Sequence, residues 1–347
     1  MRLYLLFLLS CTPVPDPPGQ HCDAAESVQL DTPDGARIAL HRHKSAGLPV
    51  VVIHGIASNH NCWDLTADRS LAVVLEDKGF DAWLLDLRGH GDAAFDQQGE
   101  RQRHGWNLDD YGKSDLHTAI EYIRKTTGQD KVAIVGHSMG GMVAAAYHGH
   151  HGDDQIAALV IVGSPINFEK PDFMLNLGQL TFGVGTMFRS FGMQNYAHHL
   201  GAINGALPVH GEYILFNPKN VEPSIRQKMM RQIVSPVSRE ELQQFETILR
   251  KGAFTSADQS INYAKSLKTL DVPFLAISGA ADRVAPPDRV EDWPTLISST
   301  DAQYIEASVE SGFSHDYGHL DLTLGDHAKE EILEPIAQWL RNREDAW

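Results

Sequence analysis

The stretch Lys131–Tyr147, KVAIVGHSMGGMVAAAY, decides the fold of this chain. It begins with an apolar run typical of a buried strand, passes through G-x-S-x-G at 136–140 and ends in small residues that predict a helix. In a strand–turn–helix of this kind the serine lies on a strained turn, so its hydroxyl stands clear of the sheet, and the glycines let the two backbones pass closely. The context favours Ser138 as a nucleophile over a structural serine.

A serine nucleophile needs two partners later in the chain. A histidine takes the serine proton, and a carboxylate fixes the tautomer of that histidine and stabilises its charged form. Residues 273–278 form an apolar, strand-like run, and Asp282 lies on the turn that follows. We predict Asp282 as the acid, the alternative being an aspartate that only shapes the turn.

The histidine is expected in a loop between the last strand, predicted at 302–306, and the last helix, predicted at 326–341 from the helical spacing of apolar residues. Three histidines lie near this connection. We predict His319 as the base, with His315 as the second choice. His327 is assigned to the first turn of the helix, at the surface.

Two backbone N–H groups must stabilise the negative charge that develops on the substrate. One comes from the residue after the nucleophile, Met139, and the other from the loop after the third strand. That strand is predicted at 50–53, so the Ile56 N–H is the second predicted donor, and Gly55 allows the sharp turn. His54 is expected to anchor the loop by hydrogen bonds and is given no chemical role.

Several segments besides the serine motif resemble those of one family. The motifs are H-G-L-x-x-S…N-W, S-L-A…G-Y-D-V-W-L and H-L-D-F…G-x-D-A, matched here at 54–63, 70–84 and 319–328. On these motifs the chain resembles the acid-lipase branch of the α/β-hydrolases, which includes the gastric and lysosomal lipases. The resemblance implies that Ser138 is the nucleophile, Asp282 the acid and His319 the base.

Two departures from that branch leave the substrate open. Its R-G-N after the fourth strand is Arg88-Gly89-His90-Gly91 here, a turn sequence commoner among small esterases and haloperoxidase-like enzymes, and its Q-G-T is Met139-Gly140-Gly141. Polyhydroxyalkanoate synthases share parts of the core, but they carry cysteine where this chain has Ser138. These differences concern the substrate and leave the predicted triad unchanged.

The predicted reaction is hydrolysis of a lipid or other hydrophobic carboxylic ester through an acyl-enzyme, without a cofactor. Acyl transfer, thioester hydrolysis or polyester depolymerisation by the same three residues is the alternative. A non-catalytic binding protein on the same scaffold is a remote third reading.

The predicted fold is an α/β-hydrolase fold, a mostly parallel sheet flanked by helices with a helical cap inserted after strand six. Residues 1–22 are assigned to a leader and tether, 23–164 and 268–347 to the two halves of the core, and 165–267 to the cap. Apolar cap residues suit a hydrophobic substrate or simply pack the cap on the core, and cap glycines permit a mobile lid. These residues include Phe168, Phe173, Met174, Leu175, Leu177, Leu180, Phe182, Met187, Phe188, Phe191, Met193 and Tyr196, with Gly178, Gly183, Gly185 and Gly192.

The first residues resemble a short export signal. Arg2 precedes a run of apolar residues, and Leu8-Leu9-Ser10-Cys11 resembles a bacterial lipobox, in which the cysteine is lipidated. We expect an exported protein, either a membrane-anchored lipoprotein through Cys11 or a secreted one. Of the other two cysteines, Cys22 and Cys62 can pair in an oxidising compartment, or Cys62 can be free and buried.

The composition argues against one class of partner. The formal net charge is −16 in 347 residues, whereas nucleic-acid binders present basic patches. His148, His150 and His151 are assigned to the solvated end of a helix rather than to a metal. Asp92 and Asp96 are read as loop residues, where a calcium site stays open.

Overall fold

The computed structural model describes residues 26–96, 98–102, 105–169 and 212–347. The predictions for the leader at 1–22, with Cys11 and Cys22, lie outside the described residues. So do those for the apolar cap residues from Phe173 to Tyr196 and for the glycines between 178 and 192. Within the described ranges, no helix combines the length and the apolar character needed to cross a membrane.

One eight-stranded sheet forms the centre of the molecule. Its strands are β1 Glu26–Asp31, β2 Arg37–His43, β3 Pro49–Ile53, β4 Asp81–Asp86, β5 Val132–His137, β6 Ile156–Val162, β7 Phe274–Gly279 and β8 Ala302–Ala307. They lie in the order β1-β2-β4-β3-β5-β6-β7-β8. Only β2 pairs antiparallel, with β1 and β4, and the other neighbours are parallel. The predicted mostly parallel sheet is confirmed.

Helices cover both faces of this sheet. The longer described ones are α1 Leu71–Asp77, α2 His117–Thr127, α3 Met139–His151, α4 Pro223–Gln232, α5 Arg239–Lys251 and α6 Glu334–Arg341. Shorter α-helical turns are Leu108–Asp110, Glu212–Leu215, Tyr263–Ser266, Pro287–Val290, Trp293–Leu296 and Asp321–Leu324. The 3₁₀ turns are His60–Cys62, Gly91–Ala93, Pro218–Asn220, Leu267–Thr269 and Glu344–Ala346, and π-helical segments run over Tyr111–Leu116 and Lys329–Leu333.

The core lies on both sides of the sheet. Strands β3, β5, β6 and β7 are buried along their whole length, as expected for parallel strands covered on two faces. One apolar cluster packs under α2 and α3, and the other under α1 and α6. Truncating a single large side chain in such a core costs about 2–5 kcal/mol.

The chain leaves the sheet after β6 and returns at β7, and α4 and α5 lie in this insertion. Their apolar residues recur with helical spacing and are buried as predicted: Ile225, Met229, Leu242, Phe245 and Ile248. Ser238 begins α5 with a capping box, in which its side chain accepts the Glu241 N–H while the Glu241 carboxylate reaches back. The described part of the insertion is therefore helical, in agreement with the prediction.

The turn after β4 is fixed by the buried guanidinium of Arg88. Arg88 Nε donates to Asp115 Oδ1 over 2.8 Å, and its Nη1 donates to Asp34 Oδ2 over 2.6 Å. Because a forked guanidinium binds carboxylates in a defined plane, this pairing orients the whole turn. The turn lies beside the C-terminal ends of the parallel strands, where the site is formed.

Candidate active site

Ser138 lies on a strained turn between β5 and α3. Its φ is 54° and its ψ −120°, a conformation that costs a non-glycine residue about 1–3 kcal/mol. A Cβ on Gly136 would lie 2.5 Å from the Gly140 carbonyl carbon, and one on Gly140 would lie 2.5 Å from the Ile53 oxygen. Both positions therefore require glycine, and the turn holds Ser138 at the carboxyl edge of the sheet.

The structure brings Ser138, His319 and Asp282 together in one hydrogen-bonded chain. His319 Nε2 lies 2.9 Å from Ser138 Oγ, and His319 Nδ1 lies 2.7 Å from Asp282 Oδ2. All three residues are buried, with 3–4% of each exposed. The other carboxylate oxygen, Asp282 Oδ1, accepts the N–H groups of Val284 and Ala285, each over 2.8 Å. The carboxylate is thus held in one orientation towards the imidazole.

His315 and His327 lie apart from this chain. The His315 ring stacks on the His327 ring with 5.6 Å between centroids, and His327 is exposed. The hydrogen-bonded partner of Ser138 is thus His319, the first choice, and not His315. His327 lies in the turn just before the last helical segment, close to its predicted position.

The two predicted oxyanion donors are the N–H groups of Met139, directly after Ser138, and of Ile56, in the loop after β3. Met139 is the first residue of α3, so its N–H belongs to the first turn, which has no partners within a helix. Ile56 precedes Ala57, which has a φ of 54°. Among the hydrogen bonds of the described residues, none uses the Ile56 or Met139 N–H. The N-terminal end of α3 adds a partial positive charge.

We call residues 54–62 the oxyanion loop. Its first residue, His54, is fully buried. Its Nε2 accepts the Leu87 N–H over 3.3 Å, so Nδ1 carries the hydrogen and donates to the Gly55 oxygen over 2.8 Å. Burial lowers the pKa of His54, which keeps the ring neutral. The predicted anchoring role is confirmed.

His137 is a site residue that the sequence reasoning missed. Its Nε2 lies 3.1 Å from the backbone oxygen of His319, which only accepts, so Nε2 donates. The two rings are 4.6 Å apart, and burial together with the His319 ring holds the pKa of His137 well below its usual range. His137 therefore orients the backbone of His319 as a neutral donor. The only feature of the sequence that pointed to His137 is its position directly before Ser138.

The inserted segment is bonded to the oxyanion loop. The Ser235 N–H donates to the Ala57 oxygen over 2.9 Å. Asn59 Nδ2 donates to the Gln232 oxygen over 2.8 Å and lies 3.2 Å from Ser235 Oγ. The end of α4 and the residues just after it thus hold Ala57 and Asn59 of the oxyanion loop.

The same segment is bonded to the loop that carries His319. The Leu320 N–H donates to the Leu215 oxygen over 2.7 Å. The buried Asp321 carboxylate accepts the Asn217 N–H over 3.1 Å and the Gly318 N–H over 2.9 Å. Burial raises the pKa of Asp321 to about 6. Asn217 Nδ2 also donates to the Asp316 oxygen over 2.8 Å, so residues on both sides of His319 are fixed to the insertion.

The other titratable groups singled out in the sequence do not converge on Ser138. His148, His150 and His151 each have a separate partner, namely the Ser266 oxygen, the Tyr263 hydroxyl and the Lys113 oxygen. Asp96 accepts the N–H groups of Gln98 and Glu100 and shapes a turn.

Cys62 is buried and forms no disulfide among the residues that the structure describes. Burial raises the pKa of its thiol to about 12, so the thiolate does not form near neutral pH. A pairing with Cys22 stays a prediction, since Cys22 lies outside the described residues.

The chain is similar to known proteins in both sequence and fold. The sequence pattern of the alpha/beta hydrolase fold matches residues 49–313. Triacylglycerol lipase 1 of Arabidopsis thaliana is 26% identical, over 90% of this chain and 86% of its own length. A poly(3-hydroxyalkanoate) polymerase subunit of Allochromatium vinosum is 24% identical, over 91% and 85%. The solved structure of a thermophilic esterase from Thermogutta terrifontis superposes with a TM-score of 0.61 at 20% identity, covering 92% of this chain and all of that one.

Proposed function

Because the chain belongs to the α/β-hydrolase fold family, with a hydrolase or acyltransferase type of function, we propose that it is a serine hydrolase that cleaves a carboxylic ester. One observation carries the proposal. The distances from Ser138 Oγ to His319 Nε2 and from His319 Nδ1 to Asp282 Oδ2, 2.9 and 2.7 Å, suit proton transfer through the imidazole.

In the proposed mechanism Ser138 Oγ attacks the ester carbonyl carbon while His319 Nε2 takes its proton. The Ile56 and Met139 N–H groups stabilise the resulting oxyanion. The carbon–oxygen bond to the alcohol then breaks, and His319 returns the proton to the leaving alcohol, which leaves an acyl-enzyme. Water, deprotonated by His319, attacks the acyl carbon. The bond to Ser138 Oγ then breaks while His319 returns the proton to Oγ, and the acid is released. Asp282 stabilises the imidazolium throughout.

We propose a hydrophobic ester, such as a lipid, as the substrate class. The support comes from the apolar residues of the insertion and from the similarity to a protein named as a triacylglycerol lipase. An acyl chain gains free energy by leaving water for an apolar surface, about 0.8 kcal/mol for each buried methylene group. Chain length is therefore the substrate property to vary.

The location of the protein is also a proposal. The leader sequence supports export, with either lipidation of Cys11 and membrane anchoring or plain secretion. Metabolic labelling with a fatty acid distinguishes them: anchoring predicts label in the wild type that Cys11→Ser removes, whereas secretion predicts unlabelled protein in the medium.

The test of the proposed reaction is the rate of hydrolysis of p-nitrophenyl esters from acetate to palmitate. Ser138→Ala is expected to lower kcat by about 10⁴–10⁶-fold and to abolish labelling by a fluorophosphonate, while the fold persists. His319→Ala is expected to give a similar loss. His315→Ala is the matched control and should keep wild-type rates. Undiminished hydrolysis by Ser138→Ala would refute the mechanism.

Acyl transfer by the same residues is the second candidate, supported by the 24% identical polymerase subunit. It predicts that the acyl-enzyme is resolved faster by an added alcohol or thiol than by water. Product partition between free acid and transferred ester, measured at rising acceptor concentration, separates the two reactions. A non-catalytic scaffold predicts neither product and no fluorophosphonate labelling.

A further inference from the structure

A second cluster of chemically capable side chains lies outside the Ser138 site. His41 on β2, His60 in the oxyanion loop and Asp86 at the end of β4 direct one donor atom each to a common point, all within 4.8 Å of one another. His41 Nε2 and His60 Nδ1 lie 3.1 and 2.8 Å from Asp86 Oδ2. We infer that these three residues bind a divalent metal ion of the zinc class, with solvent completing its coordination.

The donor set matches the chemistry of zinc. Imidazole nitrogen and carboxylate oxygen are its preferred ligands besides thiolate, and bonds of about 2.0–2.1 Å in a tetrahedron place ligand atoms about 3.3 Å apart. The two His–Asp86 distances, 3.1 and 2.8 Å, are slightly shorter than this. Asp92 lies 3.8 Å from His41 Nε2 and its side chain is 65% exposed, so an ion reaches the buried ligands from its side.

The surroundings hold the ligands in place. Ser27 Oγ lies 3.0 Å from His41 Nδ1, the ring nitrogen opposite the proposed metal, which is how metal-bound histidines are oriented. Asp86 Oδ1 accepts the His60 N–H over 2.8 Å. A Cβ on Gly91 would lie 2.2 Å from Asp86 Oδ2, so the turn after β4 packs closely against the carboxylate. The carboxylate is therefore fixed before any ion binds.

The same atoms can also form a metal-free hydrogen-bonded network. In that network both histidine nitrogens carry a hydrogen and donate to Asp86 Oδ2. The metal replaces these hydrogens, because a histidine ligand must offer a lone pair. The Asp92 N–H donates to the same oxygen over 2.9 Å, and this bond stays in place in either arrangement. Because His41 Nε2 and His60 Nδ1 both face this one carboxylate oxygen, a single bound ion replaces both hydrogens.

The site joins three parts of the fold. Its ligands come from β2, from the oxyanion loop and from the end of β4. A bound ion would link His60, which lies four residues after Ile56, to the central sheet. The metal thus has a structural role in positioning the loop, and the proposed ester chemistry has no step that passes through it.

The test is zinc binding by the full chain, prepared without an affinity tag and stripped with a chelator. Isothermal titration with Zn²⁺ alone is expected to show one ion per chain with submicromolar affinity. Zinc is also expected to raise the unfolding temperature by about 3–5 °C. Cobalt substitution should give the visible bands of a tetrahedral site.

Two variants and one control make the result decisive. His60→Ala is expected to weaken zinc binding by about 100-fold or more, and Asp92→Asn, at an exposed position, by about 10-fold. His151→Ala is the control, since His151 stacks on His117 at 4.1 Å in a histidine pair without this carboxylate. No stoichiometric binding by the wild type, or equal binding by His60→Ala and His151→Ala, would overturn the inference. Neither readout depends on esterase activity.

Discussion

The replacement Asp282→Asn tests how the candidate triad is oriented. Asp282 Oδ1 accepts two backbone N–H groups, from Val284 and Ala285, each over 2.8 Å. The side-chain oxygen of the asparagine must stay at this position, because its NH₂ group would otherwise face the two backbone N–H groups, donor against donor. The NH₂ group of the asparagine therefore faces His319 Nδ1.

That orientation reverses the tautomer of the base. In the wild type, Asp282 Oδ2 lies 2.7 Å from His319 Nδ1. When the NH₂ group of the asparagine replaces this oxygen, the imidazole must accept a hydrogen bond at Nδ1 and carry its own hydrogen on Nε2. An Nε2–H cannot take a proton from Ser138. Loss of the general base through the wrong tautomer lowers kcat by about 10⁴-fold, which corresponds to about 5.4 kcal/mol of transition-state stabilisation.

The assay is steady-state hydrolysis of a p-nitrophenyl ester, read as kcat and KM separately. We expect KM to change little, because the carboxylate acts in the transition state rather than in substrate binding. Urea unfolding should shift by about 1 kcal/mol at most, since the side chain keeps its shape and both backbone bonds. Asp288→Asn, at a half-exposed position in the next helical turn, is the control. An Asp282→Asn enzyme that keeps a tenth of the wild-type kcat would refute this reasoning.

Three further changes probe the surroundings of the site. Gly140→Ala places a Cβ 2.5 Å from a backbone oxygen and should destabilise the fold by about 1–3 kcal/mol in urea unfolding; unchanged stability would contradict the close approach. His137→Phe keeps a ring but removes the donor to the His319 oxygen, so kcat should fall about 10-fold at constant KM, and an equal kcat would remove His137 from the site. Burial raises the pKa of Glu241 to about 8. The free energy by which the protonated carboxyl stabilises the fold is therefore fully present below the pKa that Glu241 has in the unfolded chain, and it is lost as the pH rises through about 8. Glu241→Gln should therefore gain stability relative to the wild type from about pH 5.5 to about pH 9, and a difference independent of pH would contradict the shift.

The sequence predicted those features whose signals are local or ordered along the chain. The strand, the G-x-S-x-G turn and the small-residue helix are adjacent, so their pattern predicted β5 and α3 directly. The order of serine, acid and base is that of the α/β-hydrolase fold, and this order led to Asp282 and His319. The continuous apolar runs predicted the buried strands for the same reason.

Other features depend on contacts that no local pattern encodes. The pairs His41–Asp86 and His60–Asp86 join residues 45 and 26 positions apart, on elements whose neighbourhood depends on the sheet order. Spacing alone could not separate His319 from His315, because a loop places two nearby histidines in different surroundings. The last helix was predicted from 326, whereas the structure has a π-helical segment from Lys329 that leads into α6. Helix ends depend on caps and tertiary contacts more than on periodicity.

The hydrogen bonds from the insertion to both catalytic loops have a kinetic consequence. Residues 215–217 are hydrogen-bonded to the loop that carries His319, and residues 232–235 to the loop that carries Ile56, so the insertion is joined to both sides of the candidate site. Under the proposed ester chemistry, free energy released when a remote part of the substrate binds the insertion is then available at the carbonyl group. Such a connection predicts that a longer substrate raises kcat more than it lowers KM.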